Sequence, residues 1–200
     1  MESKDKIRIS VDLDGTIRNF TRAFNVVYNK LILASGSTAQ VPIDHEPTVY
    51  SIADDPLYKP NIVKQVFNEH MAEAITIAGA YPGALQFVQK LAAIPGTEYT
   101  FTTHALSKAA KKASYSWVYR EQNFLAAENW NGIIFCVEDR YKYGDILIDD
   151  KTDNLNAAQQ HKVIPICVAR AWNEDFKGER YKDYDVLLDA VKESVALLSD

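Results

Sequence analysis

Apolar residues along this chain fall into two alternating rhythms. Short runs rich in β-branched and aromatic residues stand at about 7–12, 98–103, 132–137, 145–149 and 163–168, the signature of strands. Helical spacing separates several of them. Residues 82–93 read Pro-Gly-Ala-Leu-Gln-Phe-Val-Gln-Lys-Leu-Ala-Ala, with the proline suited to a helix start. Residues 106–122 and 152–161 are further helical segments, and 184–198 gathers Val186, Leu187, Leu188, Val191, Val195 and Leu197 on one apolar face. Repeated strand–helix–strand order predicts an α/β fold, a doubly wound parallel sheet with helices on both faces.

One section breaks the alternation. Residues 18–80 hold no convincing strand but carry two helix-like segments, Asn19 to Leu33 and Pro60 to about Ile77, joined by a Ser/Thr/Pro/Asp-rich stretch. The expected organisation is a core made of residues 1–17 and 81–200, with 18–80 inserted after the first strand as a small helical cap.

The first run ends in chemistry. In Val11-Asp12-Leu13-Asp14-Gly15-Thr16, two aspartates lie two apart while the chain is still extended, so both carboxylates lean to one side of the strand end. Gly15 permits a sharp turn, and Thr16 offers a hydroxyl and an amide to an anion. Taken alone, this is also a strand followed by an ordinary Asp-Gly turn. A second acidic pair closes Gly144-Asp145-Ile146-Leu147-Ile148-Asp149-Asp150, where the plain alternative is a loop with Thr152 or Asp153 capping the next helix. Ligands bind at the carboxyl ends of strands in open parallel sheets. Asp12, Asp14, Asp149 and Asp150 in one crevice would repel unless a cation neutralised them, and all-oxygen ligation points to Mg²⁺ rather than zinc. Thr102 and Thr103 end another strand with hydroxyls, and Arg140 and Lys142 follow a third as possible phosphate partners.

Composition narrows the partners. The chain has 200 residues, 47% hydrophobic, with net charge −5. That suits one core domain with a modest insertion and gives no field for a nucleic-acid polymer. A small phosphorylated ligand is still admitted, since a metal and a few donors suffice to hold it. The two cysteines, Cys136 and Cys167, stand in apolar strand-like runs and read as inert core thiols. The first residues lack a signal-peptide apolar segment and no run approaches a membrane span, so a cytoplasmic location is expected, with no membrane partner. A homodimer is left open.

In that order, Asp-Leu-Asp-Gly-Thr, a strand-end threonine, a basic residue and a late Asp-Asp resemble the four motifs of the haloacid dehalogenase superfamily of phosphohydrolases. Tyr81-Pro82-Gly83-Ala84, Ile94-Pro95-Gly96-Thr97, Phe101-Thr102-Thr103, Tyr115-Ser116-Trp117-Val118, Gly144-Asp145-Ile146-Leu147-Ile148-Asp149-Asp150-Lys151 and Ala171-Trp172-Asn173 are similar to the 5′(3′)-deoxyribonucleotidase branch. The resemblance implies a Mg²⁺-dependent phosphohydrolase acting on nucleoside monophosphates, deoxynucleotides foremost, through an aspartyl phosphate. It implies Asp12 as nucleophile and Asp14 as acid/base. It implies Asp12, the Asp14 carbonyl and Asp149 as metal ligands, with Asp150 beside them. Thr103 and either Arg140 or Lys142 would bind phosphate, and Phe20 would lie near the base. His104 stands where the branch has serine. The cap lacks tryptophan, so Tyr50 or Tyr58 is the aromatic stand-in. The competing readings are a phosphatase of another small phosphometabolite and a nucleotide-binding module without turnover.

Overall fold

In the computed structural model, which describes residues 6–105, 107–120, 129–136 and 138–199, the β-branched N-terminal run forms β1 (Ile7–Asp12) at the centre of a sheet. Five more strands join it: β2 (Thr97–Thr103), β3 (Trp130–Phe135), β4 (Ile146–Asp149), β5 (Ile164–Val168) and the short β6 (Arg180–Tyr181). The spatial order is β3-β2-β1-β4-β5-β6 and every pairing is parallel. Helices α1 (Phe20–Ala34), α2 (Pro60–Gln65), α3 (Met71–Ile77), α4 (Ala84–Leu91), α5 (Lys108–Arg120), α6 (Thr152–Gln160) and α7 (Tyr184–Ser199) complete the chain. The fold is the expected α/β architecture, a parallel sheet flanked by helices.

Local sequence explains most element ends. Asn19 caps α1 by accepting a bond from the Arg22 amide at 3.1 Å. Pro60 opens α2, where its missing N–H costs nothing. One large apolar core runs from the sheet residues Ile9, Val11, Phe101 and Ile148 into Phe24, Val27, Tyr28, Val66 and Ile75 of the helical segment. Trp117 and Arg120 of α5 donate to the carbonyl of Ala78 at 2.8 and 3.0 Å, tying the end of α3 to the sheet side of the molecule. Both cysteines are free and buried. Among the described residues no helix is long and apolar enough to cross a membrane.

Four details depart from the sequence reading. The pattern over 60–77 predicts one helix, but Val66–His70 forms a wider π turn between α2 and α3. Regular spacing carried on from Ile62 and Val66 leads to Glu73 and Ile77, whereas the buried positions are Ala74 and Ile75, and Ile77 is 48% exposed. The π turn supplies this one-residue slip. Second, β6 was not anticipated: it is two residues long, too short for any periodicity. Third, α6 has Lys151 at its cap and no side-chain capping bond, because the Thr152 hydroxyl donates instead to Asp175 at 3.0 Å. Fourth, β3 starts two residues before the expected run and ends at Phe135. Residues 106, 121–122 and 137, included in the expected helix and strand, lie outside the described residues.

Candidate active site

Register brings the two acidic pairs together. β1 lies beside β4 with Val11 opposite Ile148, so Asp12 and Asp149 follow at adjacent strand ends. Beyond Asp12 the chain turns at Gly15, whose φ is +84°. A Cβ there would lie 2.6 Å from the Asp150 carboxyl carbon, so both the conformation and the close approach require glycine. Carboxylate oxygens of Asp12, Asp149 and Asp150 lie within 4.8 Å of one another, and all three residues are buried.

The cluster is held by a surrounding set of donors. Arg140, buried at the start of the 3₁₀ turn Arg140–Tyr143, directs Nη1 to Asp12 Oδ1 and, at 3.2 Å, to Asp149 Oδ2. Asp149 also accepts from the Lys151 amide at 2.8 Å and from Asn154 Nδ2 at 2.9 Å. Asp150 accepts from the Thr16 hydroxyl at 3.1 Å and from Trp172 Nε1 at 2.8 Å. Behind the turn, Arg170 Nε donates to the Gly15 carbonyl at 2.6 Å while its guanidinium stacks 3.7 Å over the Tyr81 ring.

Charge is in excess here. Burial pushes the Asp12 carboxyl well above the ordinary carboxylate range; Arg140 opposes the shift, and the charges of Asp149, Asp150 and Asp14 add to it. Burial and the neighbouring Asp149 push Asp150 up to about 6, against Arg170. Arg140 touches two of the three buried carboxylates, Asp12 and Asp149, and the cluster as a whole is left short of positive charge. The donor set is all carboxylate oxygen, which fits a hard divalent cation such as Mg²⁺. Among the described residues Asp12, Asp149 and Asp150 are the clustered side chains that could hold it.

Asp14 is placed differently. Its carboxylate turns from this cluster to Arg18, which grips it with Nε on Oδ1 and Nη2 on Oδ2, both at 2.7 Å. Thr103 donates its hydroxyl to the same Oδ2 at 2.9 Å, so that hydroxyl serves Asp14 rather than standing free in the crevice. Lys142 is not brought to the carboxylates: it is exposed and pairs with Asp139 at 2.5 Å, three residues away. Of the two candidate cations only Arg140 reaches Asp12. Its Nε is buried and meets no hydrogen-bond partner among the described residues.

Above the carboxylates opens a cleft of about 500 Å³, with Asp12, Asp14, Arg140 and Asp150 at its floor. Its walls include Phe20, Phe67, Met71, Tyr50, His104 and Trp172. Phe20 both lines the cleft and packs on Phe24 and Phe67, with ring centroids 6.1 and 6.4 Å away. Phe67 stands in the π turn, and Met71 directly after it. Tyr50 reaches over from the helical segment, with Lys151 Nζ 4.8 Å from its ring centre. Tyr58, the other aromatic candidate, is buried and donates to Asn25 Oδ1 at 2.6 Å, away from the cleft. Burial, then the Arg140 charge, lower the His104 pKa.

Sequence reasoning missed Arg18, Arg170, Phe67 and Asn154. Arg18 carried a signal, a charge four residues after Asp14 between the apolar Ile17 and Phe20. The others depend on tertiary placement alone.

The geometry agrees with comparisons to known proteins. The sequence model of the family described as "5′ nucleotidase, deoxy (pyrimidine), cytosolic type C" matches residues 5–192. No curated protein matches by sequence. Among solved structures, a haloacid dehalogenase-like hydrolase from Streptococcus pneumoniae superposes with a TM-score of 0.62 at 14% identity, covering 94% of this chain and 99% of that one. A phosphatase so described from Clostridium acetobutylicum gives 0.64 at 12% identity, covering 95% and 100%. A haloacid dehalogenase hydrolase from Geobacter sulfurreducens gives 0.59 at 10%, covering 94% and 97%. At these identities the superpositions speak for the fold. With the family match spanning the sheet, the helical segment and both acidic pairs, the chain belongs to the cytosolic type C 5′ nucleotidase family and is a phosphoric monoester hydrolase of the haloacid dehalogenase fold.

Proposed function

We propose that the protein hydrolyses nucleoside monophosphates, deoxyribonucleotides foremost, in a Mg²⁺-dependent reaction through an aspartyl phosphate on Asp12. The observation that carries this reading is the cleft itself. Its acidic floor suits a phosphoryl group with its cation, and its aromatic walls of Phe20, Tyr50, Phe67 and Trp172 suit a flat, largely apolar leaving portion.

The chain's residues divide the work. The buried Asp12 carboxylate attacks phosphorus in line, and the bond to the leaving oxygen breaks. Asp14 gives its proton to that oxygen, then takes one from the water that hydrolyses the acyl phosphate. The unpartnered Arg140 Nε is available to a phosphoryl oxygen, and the fixed guanidinium needs little reorganisation to offset charge there. Asp12, Asp149 and the Asp14 carbonyl would hold Mg²⁺, with Asp150 beside them, and the ion would supply further charge neutralisation at the phosphoryl oxygens. Residues 18–80 act as the cap, closing water out above the carboxylates.

The test is phosphate release with Mg²⁺ over 5′ and 3′ ribo- and deoxyribonucleoside monophosphates and a set of sugar phosphates. Deoxyribonucleoside monophosphates are expected to be cleaved fastest. A clear preference for sugar phosphates overturns the nucleotide reading. Tight nucleotide binding without phosphate release overturns the enzymatic one.

A further inference from the structure

Arg18 is the largest charged side chain with no solvent exposure in the molecule's described part, and it lies at a crossing of the chain. Its backbone forms isolated β-bridges to Asp14 on one side and Ala80 on the other, where the chain leaving the sheet and the chain returning to it meet. The Asn19 amide bonds the Gly79 carbonyl at 2.8 Å, and the Tyr81 amide bonds Ile17 at 2.9 Å. Burying a guanidinium costs several kcal/mol unless a charge partner and further acceptors meet it. Asp14 is the carboxylate that does so; Ser114 Oγ lies 3.4 Å from Nη1, and the Trp117 ring centre 5.3 Å from Cζ.

The pair is lopsided. The Arg18 side chain is 0% exposed, whereas that of Asp14 is 21% exposed and opens on the cleft. Donors from the interior therefore engage Asp14 from behind. A carboxylate offers about four acceptor positions. Oδ2 receives Arg18 Nη2 and the Thr103 hydroxyl, and Oδ1 receives only Arg18 Nε. Among the described residues one acceptor position remains, and it is on Oδ1.

We propose that Arg18 is a positioning residue for proton transfer: its two-pronged grip fixes the Asp14 carboxylate so that Oδ1 is the atom that carries the proton. This inference rests on the proposed function. As the bond from Asp12 to phosphorus forms and the bond to the leaving oxygen breaks, the proton on Asp14 Oδ1 moves to the leaving oxygen. The resulting carboxylate stays gripped by Arg18 and later takes a proton from the attacking water on the same oxygen. Lysine cannot reproduce the grip, because an ammonium lacks the planar fork. Arg18 sits where the two connections to the helical segment cross, so the geometry of the proton donor is tied to the segment that walls the cleft.

The experiment compares first-turnover rates on two esters, using the full chain with Mg²⁺. One is 2,4-dinitrophenyl phosphate, whose leaving group needs no proton; the other is the nucleoside monophosphate that the wild type cleaves fastest. Arg18→Gln is expected to slow nucleoside release on the order of 10- to 100-fold while slowing dinitrophenolate release less than about threefold, since only the first uses acid catalysis. Arg18→Lys should fall between, with KM for the nucleotide unchanged. Adding Arg18→Gln to Asp14→Asn should slow nucleoside release no further. Parallel loss on both esters, or no loss on either, overturns the proposal. If Arg18→Gln does not fold, Arg18→Lys decides by the same ratio of rates, and an unchanged ratio overturns it. A wild type that cleaves neither ester overturns the function reading instead.

Discussion

Replacing Arg140 by alanine tests the assignment of charge in the site most directly. Arg140 is the cation in contact with both Asp12 and Asp149, it is buried, and one of its donors is free. A preorganised donor of this kind contributes about 2–4 kcal/mol of transition-state stabilisation, so kcat/KM should fall roughly 30- to 900-fold. Lys142, exposed and paired with Asp139, should tolerate alanine with kcat/KM within about twofold of wild type. The effect on the metal has the opposite sign to that on rate. Removing a positive charge from three buried carboxylates makes the site more negative, so Mg²⁺ should saturate at lower concentration in Arg140→Ala. Stability should depend on pH. Breaking a buried pair costs about 3–5 kcal/mol when the remaining charge stays unpaired. Asp12, whose pKa is already raised, escapes part of that cost at low pH by keeping its proton. The destabilisation of Arg140→Ala should therefore be larger at pH 8 than at pH 6. The assays are initial-rate phosphate release over a Mg²⁺ series and melting curves at the two pH values. Near-normal kcat/KM in Arg140→Ala, or an equal loss in Lys142→Ala, refutes the assignment.

The other predictions are briefer. Asp12→Asn should abolish steady-state turnover while the protein still melts cooperatively; near-normal phosphate release rules out the covalent route. The folded-state pKa of Asp150 is raised from 3.8 to about 6, so the folded protein holds that proton longer than the unfolded chain and stability declines as pH rises through this window. In chelator the melting temperature should thus drop from about pH 4 to pH 6 on account of this group, and Mg²⁺ should raise it more at pH 7.5 than at pH 5. Equal Mg²⁺ shifts at both pH values contradict the cluster as the binding site. Phe20→Ala should raise KM for nucleoside monophosphates roughly 5- to 150-fold, the worth of about 1–3 kcal/mol of stacking, while sparing p-nitrophenyl phosphate. Parallel loss on both substrates makes Phe20 a packing residue alone.

The sheet was legible because its strands are periodic and bounded. β1, β2, β4 and β5 each end within a residue or so of the apolar runs that announce them, and the alternation with helices leaves few topologies. The π turn was less legible, although its trace is in the sequence: Glu73 occupies a position where uninterrupted helical spacing wants an apolar residue. β6 left no trace, since its two residues are positioned by pairing Cys167 with Arg180 rather than by any pattern of their own.

In the site, residue type carried the acids and tertiary geometry carried everything that orients them. Asp12, Asp149 and Asp150 were readable because a pair of carboxylates at a strand end is costly without a purpose. Arg140 and Lys142, two residues apart after the same strand, were both open in sequence, with only the Glu138-Asp139 flank favouring Arg140 and only residue type favouring Lys142. Asp139 at φ +59° and the 3₁₀ turn that follows separate them: Arg140 enters the interior and Lys142 remains in solvent. Phe20 shows why the choice between core residue and ligand contact was open, since the side chain packs on Phe24 and also lines the cleft. Arg18 makes the general point. A single arginine in a mixed polar and apolar stretch is ordinarily read as a solvated surface residue, yet here it is fully buried, with Asp14 as its counter-charge across one turn of chain. Asp14 and the arginine that grips it thus lie in one short segment. Only the fold, by closing Ser114, Trp117 and Thr103 around them, makes that pairing obligatory.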